Sequence, residues 1–92
     1  MEVEVQYAAQ LKSRAGTARE KVCVPGGTTV RGLLEHLASK HGQPFRELVF
    51  REDGSVRPSV LVFMGDKQIG KDLERPLEEG AELLLLSPVA GG

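Results

Sequence analysis

Only one segment of the chain, residues 30–41, has the spacing of an amphipathic helix, and strand-like segments lie on both sides of it. Its apolar residues recur at the three- and four-residue intervals that share one helix face. They are Val30, Leu33, Leu34, Leu37, Ala38 and His41. Either Thr28 or Thr29 can cap the first turn, and Gly42 and Pro44 end the helix. One main helix among several strands predicts an α+β fold in which the helix packs on one face of a sheet.

The flanking strands are of two kinds. Residues 2–7 and 20–24 alternate apolar and polar side chains, which is typical of strands with one face in water. Residues 59–64 and 81–86 are apolar on both faces. We expect the first strand to lie in the middle of a mixed sheet, beside the last strand. This is the β-grasp arrangement. Residues 11–19 show no clean period and are interpreted as a loop, with one helical turn allowed. Residues 45–58 are less regular, with apolar anchors at Phe45, Leu48, Val49 and Phe50 and a tight-turn signal at Asp53-Gly54.

Length and charge exclude several classes of function. The 92 residues form a single domain, residues 1–92, with a flexible tail over residues 87–92. A net charge of −1 provides no basic field for nucleic acid or acidic lipid. No apolar run approaches the ~20 residues of a membrane helix, and the acidic N-terminus is unlike a signal peptide. We therefore expect a cytoplasmic protein that binds neither nucleic acid nor membrane.

The strands that are apolar on both faces indicate a binding surface. A single helix covers one face of the sheet, so alternate apolar residues of both strands point away from it. Partly exposed aliphatic side chains are common in central strands. Two adjacent strands with the same feature nevertheless favour an apolar patch that a partner covers. The predicted partner-binding residues are Val60, Leu61, Val62, Phe63, Leu83, Leu84, Leu85 and Leu86.

Other candidate sites are weaker. Cys23 lies in a strand without a second cysteine, and a passive strand residue is favoured over a reactive thiol. His36 and His41 are five residues apart, not the four of a helical zinc pair, and no metal site is predicted. Three arginines lie close together in sequence: Arg46, Arg51 and Arg57. Without interleaved aromatic residues we interpret them as a solvated face.

The end of the sequence has an unusual composition. Residues 83–92 carry no charge, and the last five are Pro88, Val89, Ala90, Gly91 and Gly92. Such a segment suits a narrow active-site channel, and an unsubstituted glycine carboxylate is the least hindered one to adenylate. Simple fraying of a terminus is the alternative explanation.

With these motifs the chain resembles the MoaD/ThiS-type ubiquitin-like sulfur carriers, and the molybdopterin synthase small subunits in particular. The resemblance covers essentially the whole chain. It rests on the alternating first strand, the Pro-Gly-Gly-Thr-Thr-Val start of the helix at 25–30, and the Leu-Leu-x-x-Leu helix at 33–37. It also includes Pro-Leu-x-x-Gly-x-Glu-Leu at 76–83 and the final Ser-Pro-Val-Ala-Gly-Gly.

The resemblance implies a mechanism in which the chain is a carrier and not an enzyme. A ubiquitin-activating-like enzyme adenylates the Gly92 carboxylate with ATP and magnesium, and a persulfide then supplies sulfur to give a thiocarboxylate. Gly91 provides clearance, and Pro88, Val89 and Ala90 contact the partners together with the strand residues. A sulfur-accepting synthase, such as the molybdopterin synthase large subunit, uses the thiocarboxylate. The chain itself binds no cofactor.

The sequence departs from the family pattern in two places, and alternatives stay open. Phe63-Met64-Gly65 stands where many members have Val-Asn-Gly, and the segment 52–58 is long compared with thiamin-pathway carriers. Carriers for cysteine or another sulfur-containing metabolite are alternatives to molybdopterin synthesis. A protein modifier that forms isopeptide bonds through Gly92 is another. An interaction module with an incidental Gly-Gly is the third.

Overall fold

The computed structural model describes residues 1–70 and 72–87, which form five strands and three helices. In chain order these elements are β1 (Glu2–Ala9), α1 (Gln10–Ala15), β2 (Arg19–Cys23), α2 (Val30–His41), α3 (Gln43–Val49), β3 (Leu61–Met64), β4 (Lys67–Gln68) and β5 (Glu82–Ser87).

β1 lies in the interior of one sheet whose strand order is β2-β1-β5-β3-β4. β1 and β5 run parallel, with Val5 beside Leu83 and Tyr7 beside Leu85. The other neighbouring strands pair antiparallel. The predicted α+β fold, a β-grasp sheet with the first strand beside the last, is therefore confirmed.

The apolar stripe of α2 forms the centre of the core. Leu33, Leu34 and Leu37 are fully buried in one cluster with Val5 and Leu85. The sheet face that carries Val5 and Leu85 is called the inner face below. Burial of each leucine contributes roughly 1.5–3 kcal/mol relative to exposure, so this contact is a main source of stability.

Thr29, not Thr28, caps α2. The Thr29 Oγ1 accepts a hydrogen bond from the Gly32 N–H at 3.1 Å, whereas the Thr28 hydroxyl donates to the Pro25 carbonyl at 2.6 Å. The carbonyls of Leu73 and Arg75 accept from the N–H groups of Arg31 and Val30. Because the first N–H groups of a helix have no partner within it, these bonds fasten the segment 72–77 to the start of α2.

The structure has two short helices that the sequence pattern did not define. α1 stands in a segment interpreted mainly as a loop; it follows Ala9, whose φ is 56°, and buries Leu11 completely. α3 follows Gly42, whose φ of 92° ends α2, and Phe45 of α3 is fully buried. Pro44 lies in the first turn of α3, where its missing N–H sacrifices no helical hydrogen bond. Pro44 thus begins a second helix instead of opening an irregular segment.

The strand boundaries also differ slightly from the prediction. β3 begins at Leu61, two residues later than expected, and β5 extends to Ser87. Ser87 is 3% exposed and pairs with Ala9, so the first residue of the predicted tail belongs to the sheet. The rest of that predicted tail, residues 88–92, lies outside the described residues.

Candidate functional site

Four partly exposed apolar side chains lie together on the face of the sheet opposite the core. Alternation along each strand directs them to this outer face, because their neighbours in the chain point inward. In the antiparallel register of β3 and β5, Leu61 is opposite Leu86, and Phe63 is opposite Leu84. We call these four residues the outer patch.

The outer patch occupies one end of the outer face, and charged residues occupy the other. In the register of β1 and β5, Ala8 lies beside Leu86 and extends the patch, while Gln6 lies beside Leu84. One row further, Glu4 lies beside Glu82, and Arg19 comes within 3.6 Å of Glu4. The apolar end is the end at which β5 finishes with Ser87.

Of the eight strand residues that we predicted to contact partners, four are buried and four are partly exposed. Val60, Val62, Leu83 and Leu85 are 9% exposed or less and belong to the core, so they are not available to a partner. The predicted set is thereby narrowed to Leu61, Phe63, Leu84 and Leu86. Contact of these four with a partner stays a prediction.

The predicted reactive end lies outside the described residues. These positions are Pro88, Val89, Ala90, Gly91 and Gly92. Their roles stay predictions. The structure does show the residue that precedes them, because β5 ends at Ser87. This strand is hydrogen-bonded to β1 on one side and to β3 on the other.

A polar cluster that the sequence interpretation missed joins β1, β2 and the end of α2. Glu20 Oε2 accepts a hydrogen bond from the Tyr7 hydroxyl at 2.5 Å and lies 2.7 Å from His41 Nε2. Lys40 forms an ion pair with the other oxygen, Oε1. Phe45 packs against this group, with its ring centroid 5.8 Å from that of Tyr7 and 5.1 Å from that of His41. These contacts fasten the edge strand β2 to the helical layer.

The protonation states in this cluster follow from its contacts. Desolvation raises the pKa of the Glu20 carboxyl, but hydrogen bonds from Lys40, Tyr7 and His41 outweigh it and lower that pKa to about 2. Burial, the hydrogen bond to Glu20 and the negative charge of Glu20 raise the pKa of Tyr7. Glu20 is therefore ionised at neutral pH, and both of its oxygens have partners. Such a carboxylate stabilises the fold and is a poor general base.

A second polar region lies beside α3. The fold brings Arg46, Arg51 and Arg57 to one cleft of about 540 Å³, together with Phe50. The Arg46 guanidinium carbon lies 5.7 Å from the centroid of the Phe50 ring. The prediction of a plain solvated face therefore left out Phe50, an aromatic residue that stands between Arg46 and Arg51 in the sequence and contacts Arg46 in the structure.

The remaining candidates, Cys23 and His36, are separate surface residues. Cys23 is exposed on β2, and His36 is exposed on α2, apart from the Glu20 cluster. Within residues 1–70 and 72–87, no three His, Cys, Asp or Glu side chains form a group that could hold a metal ion. In the same residues, no helix is both long enough and apolar enough to cross a membrane.

Comparison with known proteins gives consistent matches. A family model described as the ThiS family matches residues 5–92. The chain is 33% identical over 91 residues to the molybdopterin synthase sulfur carrier subunit of Drosophila sechellia, covering 98% of this chain and 90% of that protein. It is 30% identical over 69 residues to ubiquitin-related modifier 1 of Schizosaccharomyces pombe, covering 73% and 71% respectively. The crystal structure of SAMP1 from Haloferax volcanii superposes with a TM-score of 0.87 at 29% identity, over 100% of both chains.

Proposed function

Because the chain belongs to the ThiS family, we propose that it is a ubiquitin-like sulfur carrier whose Gly92 carboxylate is converted to a thiocarboxylate. The observation that carries this proposal is the alignment with a sulfur carrier subunit over 98% of the chain. The chemistry belongs to partner enzymes, and the chain supplies the acyl group. We expect it to act in the cytoplasm.

The proposed reaction begins with activation. A Gly92 carboxylate oxygen attacks the α-phosphorus of ATP, pyrophosphate leaves, and an acyl adenylate forms; the activating enzyme supplies the magnesium. The terminal sulfur of a protein persulfide then attacks the acyl carbon, and AMP leaves. A thiol reduces the resulting acyl disulfide, which forms a new disulfide and releases the thiocarboxylate. A glycine without a side chain leaves the acyl carbon open to the attacking persulfide.

The outer patch is the proposed docking surface for both partners. It lies at the end of the sheet where β5 finishes with Ser87, so a partner that covers Leu84 and Leu86 also meets the start of the tail. Pro88, Val89 and Ala90 would then enter the partner's channel, with Gly91 providing clearance. The two partners would use the patch in turn, because each needs the same carboxyl group.

The proposed sulfur acceptor is a molybdopterin synthase large subunit. The name of the Drosophila sechellia relative supports this assignment. Transfer to a synthase that makes cysteine or another sulfur-containing metabolite would use the same thiocarboxylate. Because every such acceptor would use the same thiocarboxylate, the acceptor enzyme is to be identified by capturing it with the carrier.

A protein modifier is the second candidate function, favoured by the 30% identity to ubiquitin-related modifier 1. In that reaction a lysine ε-amine attacks the activated acyl carbon, AMP leaves, and an isopeptide bond forms. Both functions use the same activated Gly92. They differ in the nucleophile that follows.

Intact-mass spectrometry tests the proposal. The protein is incubated with lysate of its host, ATP and a sulfur source, beside a variant without Gly92 and the surface variant Glu35→Gln. We expect a mass increase equal to exchange of one oxygen for sulfur in the wild type and in Glu35→Gln, and none in the deletion. Higher-mass conjugates that need Gly92 would instead favour the modifier. If an established carrier reacts in the same lysate and this chain does neither, the proposal is wrong.

A further inference from the structure

A cleft of about 540 Å³ between α3 and the loop that follows it is lined by Arg46, Arg51 and Arg57. We call it the arginine cleft. Its volume lies within the range of small-molecule sites, which is roughly 300–1,000 Å³. Phe50, Glu47 and Glu52 also line it. The sulfur-carrier proposal assigns no role to this region.

The positive charge of the arginine cleft is not neutralised by ion pairs. Within the described residues, the ion pairs of lysine and arginine involve Arg19, Arg31, Lys40 and Arg75. Arg46, Arg51 and Arg57 are in none of them. Guanidinium groups present several donors in a fixed plane, so three that line one cleft suit an anion with several oxygens.

Contacts within the protein hold the backbone at Arg57 and the side chains of Arg57 and Arg46 in place. Arg57 Nε donates to the Glu47 carbonyl at 2.7 Å, and the Arg57 N–H donates to the Val49 carbonyl at 2.8 Å. The Arg57 side chain is thereby fastened to the end of α3 through Nε, which leaves its terminal nitrogens for a ligand. Arg46 packs over Phe50.

The loop that carries Arg51 is closed by its own hydrogen bonds. The Arg51 N–H donates to the Ser55 carbonyl at 2.7 Å, and the Gly54 N–H donates to the Arg51 carbonyl at 2.9 Å. Asp53 Oδ1 accepts from both the N–H and the hydroxyl of Ser55. A loop held in this way loses little conformational freedom when an anion binds.

We propose that the arginine cleft binds a compact phosphate-type oxyanion, either free or as the phosphoryl group of a small molecule. Forked guanidinium donors match phosphate oxygens and make charge-assisted hydrogen bonds. The two carboxylates limit the choice of ligand, because Glu47 and Glu52 would repel an extended polyanion that reached past the arginines. The ligand is therefore small, and nucleic acid is not expected.

The arginine cleft belongs to the helical layer, since α3 packs against α1 and α2. The outer patch lies on the opposite face of the sheet. A ligand in the cleft would leave the outer patch open, so the two surfaces can be occupied together. This inference does not depend on the function of Gly92.

Titration of the ¹⁵N-labelled full chain followed by two-dimensional NMR tests the proposal. The probes are inorganic phosphate, pyrophosphate and glycerol 3-phosphate, each compared with sodium chloride at equal ionic strength. We expect saturable shifts at the amides of Arg51, Gly54 and Arg57, with a dissociation constant in the millimolar range or below. Tighter binding of glycerol 3-phosphate than of inorganic phosphate would identify an organic phosphate as the ligand class, and equal binding would identify the phosphoryl group alone.

Variants with opposite expected effects complete the test. Arg51→Gln removes an exposed cation and should weaken phosphate binding about tenfold, since a charge-assisted hydrogen bond contributes roughly that factor. Glu52→Gln removes a repulsive carboxylate and should tighten binding about threefold. Arg14→Gln, an exposed arginine of α1 outside the cleft, should change nothing. Shifts that sodium chloride reproduces, or equal affinity in all three variants, would overturn the proposal.

Discussion

The Tyr7 hydroxyl of β1 donates a 2.5 Å hydrogen bond to Glu20 Oε2 of the edge strand β2. Glu20 is paired with Val5, so its side chain lies on the inner face of the sheet, among the residues of the core. A carboxylate there is stable only with strong donors. His41 and Lys40, from the last turn of α2, supply the others.

We expect Glu20→Gln to destabilise the fold by about 1–3 kcal/mol at neutral pH, because hydrogen bonds to a charged group contribute about that much. The amide keeps the size of the side chain but loses the ion pair with Lys40 and the negative charge that Tyr7 and His41 contact. Urea denaturation measures the change. Glu35→Gln, at an exposed position of α2, is the matched control and should stay within about 0.5 kcal/mol of wild type. Equal effects of the two substitutions would show that the Glu20 cluster does not stabilise the fold.

The same carboxylate predicts a specific acid sensitivity. In the unfolded chain the Glu20 carboxyl titrates near its ordinary pKa of 4.5, and in the folded protein the pKa is about 2. Between these values the unfolded state binds a proton that the folded state does not. The contribution of the Glu20 carboxylate to the free energy of unfolding is therefore complete above pH 4.5. It is lost as the pH falls towards about 2.

The measurement is the difference in free energy of unfolding between wild type and Glu20→Gln across that acid range. We expect the difference to shrink steadily as the pH falls. Taking the difference cancels the titration of other carboxyl groups that are common to both proteins. A difference that stays constant down to pH values near 2 would contradict the lowered pKa of Glu20.

A third prediction concerns the start of α2. Thr29→Ala removes the oxygen that accepts from the Gly32 N–H and should destabilise the fold by about 1 kcal/mol. Thr29→Ser keeps that oxygen and should recover most of the loss. Thermal unfolding of the three proteins gives the comparison. Failure of serine to restore stability would show that the methyl group of Thr29, and not its hydroxyl, is what matters.

The strongly periodic elements could be predicted from sequence, and the short helices could not. β1, β5 and α2 have apolar patterns that match their burial. α1 and α3 have six and seven residues, too few for a periodic signal, and their burial of Leu11 and Phe45 depends on the assembled core. Tertiary packing, and not the local sequence pattern, therefore determines that these two segments are helical.

The candidate site could likewise be predicted from the sequence only in part. Alternation along β3 and β5 predicts that some apolar residues face outward, but only the register shows that Phe63 meets Leu84. The inward position of Glu20 follows from its two-residue spacing to Val22. Its partners come from residues 40 and 41, about twenty positions away, which no local pattern relates to it. The three arginines of the arginine cleft lie close together in sequence, but only the fold shows that they line one cleft.

The outer patch gives the last prediction. Leu84→Ser should lower thiocarboxylate formation at limiting activating enzyme by about tenfold or more, because a buried leucine at an interface contributes on the order of 1.5–3 kcal/mol. Its effect on folding should be small, since Leu84 is partly exposed in the free protein. Rates are followed by intact mass, and the fold by circular dichroism.

Two controls separate docking from folding. Gln68→Ser lies in the same row of the outer face, on the far side of Phe63, and should leave the rate near that of wild type. Leu85→Ser places a hydroxyl in the core and should unfold the protein or destabilise it by several kcal/mol. Raising the activating enzyme to saturation should restore the rate of Leu84→Ser, because the substitution weakens association and leaves Gly92 unchanged. A folded Leu84→Ser protein that reacts at the wild-type rate under limiting enzyme would show that partners bind elsewhere on the molecule.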